Sequence, residues 1–356
     1  MTSGTKHEHS LWRRLCGVPL IVTVSCALLM VVTALAAGLP VRDPDGFLGP
    51  SYVRLPLIAL VFVVIDVVPR VALKRPAPRD VFGLVASVLR ERWSGPRVAV
   101  TAAGLAVFYL SYVAYRNFKS FLPFLQERRE DALLLGTDRW LTGGQYPGDI
   151  LQTILGTGAS AAVLSAVYMF YMLFVPLSLA AALIWFDNLS LGAWYVTALS
   201  FNWLLGAVSY YTLPSLGPIY VHPETFADLP DTAVEGLQEA LWRHRVEVLA
   251  DPHATHEVHG IAAFASLHVS VVFTAALVAH LARLPRLVRW YLWAFVALTS
   301  IATVYFGWHY VIDVPAGLAI GALSVWLAAL AVGRTKAARF QLTGSTTLPA
   351  AAARRG

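Results

Sequence analysis

Charge is scarce in this sequence. Only 13% of its 356 residues are Asp, Glu, Lys or Arg, against roughly 25% in an average soluble domain. That shortage excludes a disordered chain, which needs charge in excess of apolar residues. It also excludes a water-soluble cytosolic enzyme of this length. Cysteine is scarcer still, with only Cys16 and Cys26. Both lie in one apolar run, so neither a disulfide framework nor a cysteine zinc site can be built from them. No repeat of fixed period is present, and the composition is not that of a collagen. What remains is apolar. Hydrophobic residues make up 57% of the chain, and the mean hydropathy is +0.62. These values describe a polytopic helical membrane protein.

A bilayer-spanning helix needs about 20 mostly apolar residues. Eight runs meet that length: 16–38, 52–73, 98–118, 160–186, 192–213, 261–282, 288–307 and 311–333. The expected fold is therefore all-α, a membrane bundle of about eight transmembrane helices. The first run has no small-residue cleavage site followed by a soluble domain, so it reads as an uncleaved anchor. The net charge of +6 and pI near 9.4 are read here through the placement of basic residues, and no nucleic-acid partner is expected. With the N-terminus in the cytoplasm, eighteen of the 27 basic residues fall on the cytoplasmic side and nine on the other. The positive-inside rule then puts both termini in the cytoplasm. The long segments 119–159 and 214–260 face outward.

Polar residues inside spans are costly and are functional candidates by default. Asp66 precedes Arg70 by four residues, which suits a local ion pair. Gly317 and Gly321 form a G-x-x-x-G packing face. Three other features fall at the outer face. They are Tyr210 to Pro218 at the end of the fifth run, Ala265-Ser266-Leu267-His268 near the start of the sixth, and His309-Tyr310-Val311-Ile312-Asp313 between the seventh and eighth. On a continuing helix His309 and Asp313 share a face. A carboxylate there fixes the imidazole tautomer and leaves the other ring nitrogen as a nucleophile or base. His268, from a separate helix, can act as an acid from the opposite side. Two histidines and one aspartate suit phosphoryl transfer through a phosphohistidine. His253, His256 and His259 are spaced as metal ligands, but they lie in a polar segment with Pro252 and read as a solvated loop. His280 reads as a packing residue.

These blocks resemble the type-2 phosphatidic acid phosphatase superfamily, whose core is similar to that of vanadium haloperoxidases. Its signature is K-x6-R-P, P-S-G-H and S-R-x5-H-x3-D. Ser266-Leu267-His268 matches the second block, with Ala265 for proline and Leu267 for glycine. His309 and Asp313 match the third, with Ala302 and Thr303 where Ser-Arg stands. The first block has Pro214-Ser215-Leu216-Gly217-Pro218 and no cation. S-L-H with H-x3-D, together with Tyr115-Arg116-Asn117-Phe118-Lys119 and Asp138-Arg139, resembles the branch of aureobasidin-resistance-type inositolphosphotransferases, including inositol phosphorylceramide synthase.

The resemblance implies a six-helix core within residues 98–334, an N-terminal two-helix extension over 1–97 and a cytoplasmic tail over 335–356. It implies His309 as nucleophile, Asp313 as its orienter and His268 as general acid and base. A phosphoryl group needs cations or N–H donors around its oxygens. Arg116 and Arg139 are first among the cations on the outer side, which also include Lys119, Arg243 and Arg245. Ser266, Gly217 and Pro218 complete the expected substrate contacts. The phosphohistidine route requires no cofactor and no metal. The expected partners are a lipid phosphate and the surrounding membrane lipids, with the site at the extracytoplasmic face. A membrane transporter using Asp66, His268, His309 and Asp313 as a proton or ion path is the rival reading. Residues 231–249 read as an amphipathic helix with Asp231 as N-cap. The segment 121–156 (with Pro123, Trp140 and Tyr146) reads as an interfacial belt.

Overall fold

The computed structural model describes residues 17–44, 51–186 and 188–334. Expectations for the chain before residue 17 and for the tail 335–356 lie outside the described residues. Within them the protein is all-helical and contains no strand. In chain order the helices are α1 (Val18–Ala37), α2 (Ser51–Leu73), α3 (Val81–Arg92), α4 (Gly95–Leu125), α5 (Asp131–Leu141), α6 (Pro147–Leu155) and α7 (Ala159–Ala180). They continue with α8 (Leu189–Thr212), the short α9 (Pro218–Val221), α10 (Ala233–Ala250), α11 (Leu267–Leu281), α12 (Arg286–Tyr305) and α13 (Asp313–Ala331). A π-helical turn, Ala181–Trp185, extends α7.

Among the described residues, each of the eight apolar runs contains a helix. Six helices are long and apolar enough to cross a bilayer: α1, α4, α7 with its extension, α8, α12 and α13. The sixth run gives α11, which is apolar but only 15 residues long. It is short because it starts only after Ser266, its N-cap, whose hydroxyl accepts the Val269 N–H at 3.4 Å. Helix α8 is the central post. In its most apolar stretch 89% of the residues are buried, and α4, α11 and α13 pack around it. Lipid offers no hydrophobic drive between helices, so close approach depends on small residues. A Cβ on Gly317 would meet the Ser266 carbonyl oxygen at 2.3 Å, and one on Gly321 would meet the Ser270 carbonyl at 2.9 Å. The G-x-x-x-G face thus seats α13 on α11, beside the candidate site.

Asp66 pairs with Arg70 at 3.2 Å as the spacing predicts, and also with Arg92 of α3 at 3.0 Å. Arg92 and Arg97 donate to carbonyls of residues 184–186 at the end of the π turn. This polar knot closes the end of the bundle opposite the histidines. The amphipathic helix over 231–249 is present as α10, but its N-cap is Thr232, and Asp231 lies one residue outside.

Candidate active site

Two loops and one helix end meet at the other end of the bundle. Loop 213–217 leaves α8 and is laced to the segment before α11. The Ala263 N–H donates to the Ser215 carbonyl at 3.0 Å, and the Phe264 N–H donates to the Ser215 hydroxyl at 3.0 Å. Gly217 has φ +104, and a Cβ there would meet the Trp308 carbonyl oxygen at 2.6 Å. Only glycine lets the two loops touch in this way. The Ser266 N–H donates to the Asp313 carbonyl at 3.1 Å, tying the start of α11 to the start of α13.

Those ties bring His268, His309 and Asp313 together. His309 Nδ1 lies 3.1 Å from Asp313 Oδ2. His309 Nε2 lies 3.3 Å from His268 Nδ1, and His268 Nε2 lies 3.0 Å from the Tyr168 hydroxyl. One set of protons satisfies the whole chain. His309 donates from Nδ1 to the carboxylate, His268 donates from Nδ1 to His309 Nε2, and Tyr168 donates to His268 Nε2. The acceptor nitrogen of His309 therefore faces the donor nitrogen of His268. The two residues His309 and Asp313 do not share a helix, because Asp313 is the first residue of α13. They meet through the turn that precedes it, where Asp313 Oδ2 also accepts the Tyr310 N–H at 3.0 Å.

The ring of His268 is enclosed by aromatics. Its centroid is 4.9 Å from Tyr168 and 4.5 Å from Tyr171, and Tyr168 stacks on Trp308 at 5.1 Å. His309 opens on a small cavity lined also by Asp138, Tyr146, Pro147, Pro218 and Phe226.

Two acidic residues of α5 hold the backbone of the site. Asp138 accepts the Val311 N–H at 2.9 Å and the Ile312 N–H at 3.4 Å, capping α13 from outside its own chain segment. Asp131 Oδ1 accepts the Leu216 N–H at 2.9 Å, the Gly217 N–H at 3.1 Å and the Tyr310 hydroxyl at 2.9 Å. Burial pushes the Asp138 carboxyl up to about 6, and the neighbouring Asp313 adds to the rise, against the two N–H groups that favour its charge.

The expected substrate contacts divide. Pro218 lines the cavity beside His309. The Gly217 N–H is committed to Asp131, whereas the Ser266 hydroxyl accepts the Val269 N–H in its helix cap and keeps its own O–H to donate. Arg139 is exposed, with its guanidinium 4.4 Å from the ring centroid of Tyr146, at the cavity rim. Arg116 is partly buried on α4, one turn before Lys119, and its charge acts on Lys119 and on His259. The solvated-loop reading fails for His259, which is 1% exposed. Arg245 Nη1 donates to its Nε2 at 2.7 Å. Burial first, then the charges of Arg245, Lys119 and Arg116, hold His259 well below the usual imidazole range. His253 instead lies at a loop surface, its Nε2 2.9 Å from the Gly38 carbonyl. No group of three or more His, Cys, Asp or Glu able to hold a metal occurs among the described residues.

The sequence reading did not single out Tyr168, Asp131 or Tyr310. Tyr168 sits in an apolar helix where an aromatic residue carries no signal. Asp131 and Asp138 bind backbone, which no side-chain spacing announces.

The family model of the PAP2 superfamily matches residues 133–327, more than half of the chain. Comparison with curated proteins and with solved structures gives no match.

Proposed function

Because the chain belongs to the PAP2 superfamily, a family of phosphatase- and phosphotransferase-type activity, we propose that it transfers a phosphoryl group from a lipid phosphate through a phosphohistidine on His309. The reading rests on one observation: the hydrogen-bonded line Tyr168–His268–His309–Asp313. In the first step His309 Nε2 attacks phosphorus and a P–N bond forms. The bond from phosphorus to the leaving oxygen breaks. His268, which enters the step as an imidazolium with its Nε2–H donating to the Tyr168 hydroxyl, passes its Nδ1 proton to that oxygen and is left neutral. Asp313 keeps the His309 proton on Nδ1 and balances the imidazolium that develops. In the second step His268 Nδ1 takes a proton from the acceptor hydroxyl. Its oxygen attacks phosphorus, the P–N bond breaks and His309 is restored.

Water as acceptor makes the protein a phosphatase. An alcohol on a second lipid makes it a phosphotransferase, and the Ser266-Leu267-His268 block favours the latter through its likeness to inositolphosphotransferases. The catalytic unit spans residues 98–334, with α1 and α2 as an extension. Arg139 meets the headgroup at the cavity rim, and Arg116 adds positive charge behind it. The site opens to the extracytoplasmic face. A transporter path through Asp66 is disfavoured, since Asp66 is held between Arg70 and Arg92 at the opposite end of the bundle.

The test is a panel of lipid phosphates offered to purified wild type and His309→Ala in detergent, with no gradient present. Phosphate release or headgroup exchange by wild type, reduced at least about 10³-fold in His309→Ala, is the expected result. A wild-type preparation inert across the panel that moves solute in vesicles contradicts the reading.

A further inference from the structure

We propose that Lys119 is the cation that receives the phosphate of the substrate, supplied from helix α4 outside the region matched by the family. The inference rests on the phosphoryl-transfer reading of the two histidines and names the group that reading lacks. A transferring phosphoryl group needs positive charge or N–H donors at its oxygens. The positions that would carry cations in the motif blocks are here Thr303 and the Pro214–Pro218 loop. Four of the backbone donors nearby are committed, as Leu216 and Gly217 bond to Asp131, and Val311 and Ile312 bond to Asp138.

Lys119 is only 8% exposed. Its ammonium lies 4.8 Å from the ring centroid of Tyr210 and 5.9 Å from that of Tyr115. The two hydroxyls of those tyrosines are 3.3 Å apart. Among the described residues, no carboxylate, carbonyl or hydroxyl accepts a hydrogen bond from this ammonium. The next residue, Ser120, accepts the His259 N–H at 3.2 Å, and the Lys119 charge reaches His268 and His309 as well as His259.

The choice of partner matters. A carboxylate would cancel the charge, whereas aromatic faces hold an ammonium and leave its charge and its N–H donors uncommitted. A buried cation without an anion is costly. Arg116, one helical turn away, adds like-charge repulsion, and Arg245 donates to the same His259. Asp131 acts on Arg245 in the opposite sense. A phosphate held by Lys119 within reach of His309 would supply the anion that this ammonium lacks. The shared chemistry is a phosphate anion, either a lipid phosphate headgroup or free inorganic phosphate.

The experiment uses the full chain in detergent micelles, as wild type, Lys119→Met and Lys119→Arg. Inorganic phosphate is titrated against the thermal midpoint, with chloride at equal ionic strength as the blank. Turnover of a short-chain phosphatidic acid is followed in parallel. Wild type is expected to gain stability with phosphate. Lys119→Met is expected to need at least about tenfold more phosphate for the same gain and to lose about 100-fold in kcat/KM. Lys119→Arg should recover part of both. Phosphatidic acid and inorganic phosphate should compete, and protection by phosphate that survives saturating lipid phosphate would overturn the assignment.

If Lys119→Met is not monodisperse, Lys119→Gln takes its place. A folded Lys119 variant without charge that matches wild type in both readouts sinks the proposal, while His309-dependent turnover would still stand. Phosphate binding that depends on Lys119, in a protein that turns over no lipid phosphate, would keep the anion site and remove the enzymatic reading. Neither binding nor turnover in wild type would remove both.

Discussion

At the level of single residues, the chemistry depends on where protons and charges rest. His309 is held by Asp313 on one ring nitrogen and faces His268 with the other. Replacing Asp313 by Asn keeps the shape and loses the charge that steadies the imidazolium. Asp313→Asn should therefore fall by about 10²–10⁴ in kcat with little change in thermal midpoint, measured side by side with wild type. Asp138 gives a pH signature. Its ordinary value is near 3.8, and burial raises it to about 6 in the folded chain. The fold thus favours its neutral form, and its contribution to stability is full below about pH 4 and is lost as pH rises through about 6. The difference in thermal midpoint between Asp138→Asn and wild type should move in favour of the variant over that range. A difference that stays flat from pH 4 to pH 8 would contradict the assignment. The sequence made His309 and Asp313 visible, because their separation is a local quantity. It also offered Lys119 only as one of several cations on the right side. Its burial between Tyr115 and Tyr210 is tertiary, and Tyr210 is 91 residues away along the chain.

At the scale of elements, α5 is the piece that joins the surface to the chemistry. Its inner face carries Asp131, Leu134 and Asp138 into the site, and its outer face exposes Leu133 at 56% and Trp140 at 79%. That division fits a helix lying at the membrane interface, with apolar residues toward lipid. The sequence marked the segment around Trp140 and Tyr146 but not its two helices, since each is shorter than a span and has mixed polarity. It also placed the N-cap of α10 one residue early, because Asp231 and Thr232 are both good caps and only the chain path selects between them. The contact of α13 with α11 offers a test. In Gly317→Ala the added Cβ collides with the Ser266 carbonyl, which must shift. The variant should lose about 1–3 kcal/mol of stability, and turnover should fall with it because Ser266 precedes His268 by two residues. An unchanged denaturation midpoint would show that the two helices do not rely on this close approach.

At the scale of the whole molecule, the bundle has two unlike ends. One is closed by Asp66, Arg92 and Arg97 around the π turn, and the other holds the histidines. The eight apolar runs and the end at which the motifs gather could be read from hydropathy and basic residues alone, because both follow from solvation. Which helix stands at the centre could not, since α8 is no more apolar than its neighbours and is central only by packing. Sidedness is open to direct test. Glu224 is exposed beside the site. With Cys16 and Cys26 replaced by serine, Glu224→Cys should react with an impermeant thiol reagent on whole cells, and labelling only after lysis would reverse the orientation. The most direct measurement of all is to quench the enzyme at alkaline pH during turnover of a lipid phosphate and map the modified peptide by mass spectrometry. The account predicts one phosphoryl group on the imidazole of His309, absent in His309→Ala. Undiminished turnover with no phosphoryl on His309, or with the phosphoryl on another residue, would contradict it.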